Sequence, residues 1–285
     1  MLLHIVALVF AAAGAAGPLP VIEWTFDTSE NARAWQANGH IGDVRVEEGV
    51  LSARATGNDP FFVIEFEPFE AAASNYVVLR AKADKPGTGE LFWTGTTEGS
   101  YGGFSQRKTT TFKLAGTGDW ETLVLLPFWQ SEKQIVKFRL DFFAQASFAI
   151  DSLSVRRWGT EEPQTEVYSW TFPEDAGDWF VPHGRDTMYA PPMRLDVSDR
   201  SWVAVVLDAE EAGMGELLWA SGNVLGEQRA AFEIRPGTNR VTNIRMDELD
   251  AWQSPLVALG LRIPEAAGAR LRSLTVAETP AGPAD

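Results

Sequence analysis

The chain has 285 residues, 45% of them hydrophobic, with 39 acidic against 24 basic side chains and a formal net charge of −15. That length holds one large or two ordinary domains, each able to bury its own core. The acidic balance argues against nucleic acid and anionic lipid as partners, and the absence of cysteine excludes a thiol nucleophile, thiolate metal sites and an acyl anchor.

From the N-terminus, MLLHIVALVFAAAGAAG (1–17) is an apolar run closing on small residues, with Ala13-Gly14-Ala15 in the A-x-A form of a cleavage site. It is too short to span a bilayer, and it holds no Lys or Arg, so only the free amine supplies the usual positive start. This pattern predicts a signal peptide, with a buried first strand as the alternative. No later stretch is long and apolar enough for a transmembrane helix. The mature chain is therefore expected to lack an integral membrane segment and to be periplasmic or secreted.

Past the leader, one pattern occurs twice. WTF at 24–26 returns at 170–172, GELFW at 89–93 returns as GELLW at 215–219, and QR at 106–107 returns at 228–229. WQS at 129–131 returns at 252–254, and SLSV at 152–155 closes one copy as SLTV at 273–276 closes the other. An Arg follows each WQS tryptophan by ten residues, Arg139 and Arg262, which aligns the two without a gap. So long a period marks a duplicated domain, not a solenoid, whose repeats run to about 20–50 residues.

The first copy spends 58 residues from Trp35 to Trp93, where Trp179 to Trp219 takes 40. The surplus at 41–58 predicts a hairpin turning at Glu48-Gly49, with Val44 and Val46 on one arm and Leu51, Ala53 and Ala55 on the other. The second copy is expected to be two strands poorer. In NYVVLRAKA (75–83), Val77, Leu79, Ala81 and Ala83 share one face, with Tyr76, Arg80 and Lys82 opposite. In IVKFRLDFF (135–143), Val136, Phe138, Leu140 and Phe142 point inward, and Lys137, Arg139 and Asp141 point away. Helical spacing is absent after the leader, apart from one turn that EAAAS at 70–74 could make. The predicted fold is all-β: two tandem antiparallel β-sandwich (jelly-roll) domains at 18–158 and 167–278. A charged linker at 159–166 joins them and a disordered tail at 279–285 follows.

GVLSARATGNDPFF, GELFWTG, GGFSQRKTTTFKL with GDWETLVL, and FRLDFF followed by FAIDSLSV cover most of 22–158. They resemble the galactose-binding-like jelly rolls found as carbohydrate-binding modules and as accessory domains of secreted bacterial proteins. The second copy resembles the same family through WTF, GELLW, LGLRI and its closing strand. The resemblance implies a two-sheet antiparallel jelly roll that binds neutral sugars, often with a structural calcium. Its calcium ligands would here be Glu23, Asp27 and Asp151; Arg272 or Ser273 stands where Asp151 would fall in the second copy, which argues against calcium there. None of these stretches is a catalytic signature, so function must come from a site.

Of the 11 tryptophans, Trp24, Trp93, Trp170 and Trp219 recur at equivalent strand positions, as core rings do. Trp129 and Trp252 stand at loop-to-strand junctions among polar neighbours, where both a half-exposed, sugar-stacking ring and an edge-of-core ring are open. Glu90 and Glu216 are opposite in phase to Trp93 and Trp219, and Arg139 and Arg262 to Phe138 and Leu261. Each copy thus offers a carboxylate and a guanidinium off the core, as a cross-strand ion pair or as a polar groove for sugar hydroxyls. The loop TGTTEGSYGGFSQ (94–106) adds Tyr101 and Phe104, aromatics that the matching ASGNVLGEQ lacks, although Phe104 could also be core. Its glycines precede no helix and no Lys-Ser/Thr, so it is not a phosphate loop.

Only His4, His40 and His183 are present, and no nucleophile elbow or metalloprotease helix is readable. The leading expectation is a non-catalytic glycan-binding protein that takes a neutral polysaccharide mainly on the first copy. The alternatives are an envelope structural or protein-interaction module, and a jelly-roll polysaccharide lyase or glycosidase with dispersed residues.

Overall fold

The computed structural model describes residues 20–160, 162–264 and 267–282; the leader at 1–17 and positions 283–285 of the tail lie outside them. Strand-forming alternation broken by Gly, Pro and Asp puts most of the chain into β-structure. The first copy supplies β1 (Ile22–Trp24), β2 (Gln36–Ala37), β3 (Ile41–Glu47), β4 (Val50–Ala55), β5 (Phe61–Glu70) and β6 (Asn75–Ala83). It continues with β7 (Gly87–Thr94), β8 (Thr109–Leu114), β9 (Glu121–Leu125), β10 (Gln134–Asp141) and β11 (Ser147–Arg157). The second supplies β12 (Ser169–Thr171), β13 (Thr187–Tyr189), β14 (Trp202–Ala209) and β15 (Gly213–Ser221). It ends with β16 (Gln228–Ile234), β17 (Gly237–Arg245), β18 (Leu256–Arg262) and β19 (Arg270–Ala277). One short helix, α1 (Ser29–Ala34), goes beyond the sequence expectation: six residues are too few to display a helical period. EAAAS makes no helix; Asn75 Oδ1 instead accepts the Ala72 amide at 2.8 Å across a turn.

In the first copy a six-stranded sheet, β3-β4-β11-β6-β9 with β1 also on β11, faces the five strands β2-β5-β10-β7-β8. In the second, β12-β19-β14-β17 faces β13-β18-β15-β16. The inner faces carry the cores. Val77, Leu79, Leu91, Trp93, Phe138 and Leu140 fill one; Val203, Val205, Leu217, Trp219, Leu259 and Leu261 repeat the arrangement in the other. At the start of β10, a register slip between Ile135 and Lys137 gives Ile135 the core place expected of Val136, which is buried outside that cluster.

The hairpin forms as β3–β4, with Glu48 and Gly49 both at positive φ (51° and 77°), the combination a two-residue type I′ turn requires. Val44 departs from expectation and is 45% exposed, because the register slips between Gly42 and Arg45 around Asp43 at φ 55°. This bulge turns Val44 outward. The second copy lacks both hairpin strands, and its counterpart of β2 shrinks to the bridge Phe180–Tyr189, so among the described residues it is three strands poorer, not two.

Strand register also corrects the alignment of the copies. Phe138 pairs with Trp93 and Leu259 pairs with Trp219, which makes Leu259 the counterpart of Phe138. Gly260 therefore answers to Arg139, and Arg262 answers to Asp141. The slip arises in the loop, since Trp129 precedes Phe138 by nine residues whereas Trp252 precedes Leu259 by seven.

A third apolar cluster joins the sandwiches. Tyr76 and Val78 on the outer face of β6, Val124 on β9, Phe128 and Trp158 meet Tyr189, Leu218, Ala220 and Ala258 on the outer face of β13-β18-β15-β16. Tyr76 thus occupies the predicted face of β6, but the other copy covers it. Trp158 stacks on Phe180 at 5.0 Å between centroids, and its Nε1–H donates to the Ala190 carbonyl at 3.2 Å. Gln130 Nε2 donates to the carbonyls of Val224 (2.7 Å) and Gly226 (3.0 Å). Phe128 holds φ 46°, a region costing a non-glycine residue about 1–2 kcal/mol, and its ring reaches Tyr189 at 5.6 Å.

The segment between the copies is tied down as well: Gln164 donates its amide to Pro192 O and accepts that of Arg194, both at 2.8 Å. In the tail, where disorder was expected, Ala281 exchanges two hydrogen bonds with Asn243. Among the described residues no helix is long and apolar enough to cross a membrane.

Trp158→Ala should remove about 3–5 kcal/mol of stability. Urea unfolding followed by fluorescence and circular dichroism is expected to separate into two transitions, one per sandwich. A single transition with an unmoved midpoint would show that the copies do not depend on this seam.

Candidate functional site

Alternation along β5, β7, β8 and β10 sets a band of side chains on the outer face of the five-stranded sheet. The ladders align Phe61, Asp141, Glu90 and Thr111 in one row, and Gln36, Val63, Arg139, Phe92 and Thr109 in the next. Arg139 is the centre. Its guanidinium lies 3.8 Å from the Phe61 ring centroid and 5.3 Å from that of Phe92. It donates from Nε to Asp141 Oδ1 at 2.7 Å, and from Nη2 to Asp141 Oδ2 at 2.6 Å and Asp59 Oδ1 at 2.8 Å.

The side chains of Arg139 and Asp141 are only 24% and 11% exposed, so their electrostatics are sharpened. Burial holds the Asp141 carboxyl above the usual carboxylate range, with Asp59 and Glu90 adding to the effect and Arg139 opposing it. At Arg139 burial works against the charge, but the bonds and charges of Asp141 and Asp59 outweigh it and raise the pKa. Beside this pair, Glu90 Oε1 accepts Gln106 Nε2 at 3.3 Å. Lys137 pairs with Glu65 at 2.7 Å and sits 5.6 Å from the centroid of the half-buried Phe104.

In the loop after β7, Tyr101 is 90% exposed and held at φ 56° between Gly99 and Gly102, both at positive φ. Left-handed backbone costs a tyrosine about 1–2 kcal/mol. A ring held in solvent on strained backbone is the arrangement expected of a contact residue.

Of the sequence candidates, Glu90, Phe104 and Arg139 thus gather at one face, and Tyr101 stands on the loop beside it, where the neighbouring Gly102 approaches Lys137. Glu90 and Arg139 do not pair with each other. Arg139 takes Asp141, two residues on and on the same strand face, and Asp59 from the loop before β5; the R-L-D spacing was the signal. Phe61 and Phe92 were missed because both fall in continuous apolar runs where phase is ambiguous.

In the second copy Glu216 and Arg262 are direct cross-strand partners, with N···O at 3.0 Å and Asp186 at 3.9 Å from Arg262. The part of that face turned toward the first copy is apolar. Gly260 replaces Arg139, and a Cβ there would meet the Tyr189 ring at 2.6 Å. Leu218, Ala220 and Ala258 take the places of Phe92, Thr94 and Lys137, and the first copy covers them.

Trp129 and Trp252 correct the half-exposed reading, being 0% and 9% exposed. Trp129 stacks on Phe138 at 5.8 Å and donates Nε1–H to Asn75 Oδ1 at 3.1 Å; Trp252 donates to Arg200 O at 2.8 Å. Both indoles satisfy their N–H internally and close an end of a core.

The expected calcium ligands do not converge either. Asp151 pairs with Arg80 at 2.9 Å, Glu23 lies 3.8 Å from Arg156, and Asp27 Oδ1 sits beside Gly49. Among the described residues no group of three His, Asp or Glu could hold a metal ion. Cations of the chain already balance two of the three carboxylates, so the donor set does not fit calcium.

No protein-family model and no curated protein matches the chain. Among solved structures, a CBM4 structure is similar at 16% identity and TM-score 0.31, over 48% of this chain and 85% of that one. The N-terminal CBM22-1–CBM22-2 tandem of Paenibacillus barcinonensis Xyn10C is similar at 10% identity and TM-score 0.35, over 93% of this chain and all (100%) of that one. The glycoside hydrolase domain of Endo-D from Streptococcus pneumoniae R6 reaches 10% identity and TM-score 0.33, over 86% of this chain and 37% of that one. Overlaps this loose bear on neither ligand nor activity.

Arg139→Leu should cost about 1–3 kcal/mol, less than the ~3–5 of a fully buried pair because the site is partly wet. Asp141 would lose the cation that opposes its burial, so its folded pKa would rise further. The loss should therefore be largest at pH 7 and shrink as acid returns the proton. A destabilisation measured by urea unfolding that is equal at pH 7 and pH 4 would contradict this account.

Proposed function

We propose that the chain is an exported, non-catalytic protein that binds a neutral glycan on the outer face of β2-β5-β10-β7-β8. The observation that supports this best is the contrast between two equivalent sheet faces. In the second copy the positions answering to Val63, Phe92, Thr94 and Lys137 are apolar and covered by protein. In the first they belong to an open face that holds a charged network flanked by rings, beside the loop that carries the exposed Tyr101.

A sugar suits such a surface. Its hydroxyls both donate and accept, and its apolar face packs on aromatic carbon. Arg139 uses Nε and Nη2 within the network, and each carboxylate oxygen has lone pairs beyond those engaged. The side chains are pre-positioned, which lowers the entropy lost on binding. Two ring contacts of about 100 Å² each would yield roughly 5 kcal/mol at ~25 cal/mol/Å². Association entropy takes much of that, leaving affinities of about millimolar to tens of micromolar.

Affinity electrophoresis of residues 18–285 against a panel of neutral polysaccharides tests this. At least one glycan should retard the chain, and EDTA should not release it. Tyr101→Ala should weaken retention about five- to thirtyfold, equivalent to about 1–2 kcal/mol of ring contact. Met214→Ala, on the second copy, should leave it unchanged. Free migration in every polysaccharide would remove glycan binding as the function.

A further inference from the structure

Between the sandwiches lies a cleft of about 700 Å³, within the ~300–1,000 Å³ range of ligand sites. One wall is β8 and β9 of the first copy, including Thr111 and Lys113; the opposite wall includes Glu216, Glu227, Arg229 and Arg262 of the second. Thr111 belongs to two surfaces. It ends the row Phe61–Asp141–Glu90–Thr111 on the open face and also lines the cleft.

We infer that the glycan track crosses the β8 edge at Thr111 and continues into this cleft, so that the chain binds an extended oligosaccharide along both copies. The inference rests on the glycan reading above and adds a second binding region to it. Neighbouring strands stand about 4.8 Å apart, so the four-strand row spans about 14 Å before the cleft begins. A ligand that fills the row alone is a short oligosaccharide; one that enters the cleft is longer.

The second copy's face supports this division. Its apolar part is buried under the first copy, while Glu216 and Arg262 remain in the cleft wall with 20% and 41% of their side chains exposed. Arg229 and Lys113 are exposed from opposite walls. Deeper in, Tyr189 donates its hydroxyl to Glu227 Oε1 at 2.6 Å, and burial holds that carboxyl above the usual range. The cleft therefore presents both donors and acceptors at the height where the row runs out, which is what consecutive hydroxyl-bearing units need.

Isothermal titration with cello-, xylo- and manno-oligosaccharides, from disaccharide to octasaccharide, tests the track. Affinity for the preferred series should keep rising beyond the tetrasaccharide. Arg229→Ala and Arg262→Ala should weaken the octasaccharide about three- to tenfold and leave the shortest ligand that binds unchanged. Tyr101→Ala should weaken every length. Thermal melts matching the parent chain establish that the variants are folded. A plateau at the tetrasaccharide, with neither arginine variant altering any length, overturns the track and leaves glycan binding on the open face intact. Equal losses at all lengths overturn it too, by placing primary binding in the cleft. If neither oligosaccharides nor polysaccharides bind, the glycan reading itself falls.

Discussion

Tyr189, Leu218, Ala220 and Ala258 present a ring, an isobutyl group and two methyls where the first copy presents Val63, Phe92, Thr94 and Lys137. Excluding water from that apolar patch is the constraint around which the molecule is arranged. It fixes the second sandwich against β6 and β9 of the first. Gly260 makes the contact possible, since any Cβ would strike the Tyr189 ring that carries it. Phe128 holds an unfavourable backbone angle to join it. The polar groups drawn into the seam, the Trp158 indole N–H and the Gln130 amide N–H, find carbonyls of the second copy. Trimming that copy costs the seam little, because its missing hairpin strands lie on the other sheet and Phe180, all that is left of its β2 counterpart, still packs on Trp158.

The same accounting explains why the first copy's face stays open. Covering Arg139, Asp141 and Asp59 with protein would demand partners for several charges at once, and a buried ion pair gains little over an apolar packing of equal size. Charge held half-wet by two flanking rings is easier to keep beside water or a hydroxyl-rich ligand than beside another sheet. The duplicated faces have thus diverged into one for protein and one for solvent.

Much of this was legible because it is local. Alternation in NYVVLRAKA picked out the buried face of β6, and Glu48-Gly49 marked the β3–β4 turn, since both depend on neighbouring residues alone. The bulge at Asp43, which turns Val44 outward, has no comparable signature. The alignment of Arg139 with Arg262 failed because a two-residue difference in the preceding loop is invisible once the next matching letter happens to be an arginine. Identical words also took different work. In one WQS, Gln130 bridges the copies; in the other, Gln253 donates to Asp250 within its own loop and Ser254 donates to Asp196. Tyr76 reads as a surface residue of its own sheet, which it is, until a partner sheet more than a hundred residues away covers it. Long-range packing carries no trace in sequence phase. Of the two neighbouring carboxylates of the open face, Glu90 is a candidate in the sequence, whereas Asp141, which holds Arg139, is there only a residue pointing away from the core.

Tandem modules usually gain strength by avidity, the second site seeing a high effective concentration of a polymer once the first has bound. Here the apolar part of the equivalent face of the second copy is used up inside the molecule, and no separate open face remains there. Whatever occupies the open face occupies it once per chain. Tighter attachment to a repeating polymer must then come from several chains acting together, not from the duplication visible in this one.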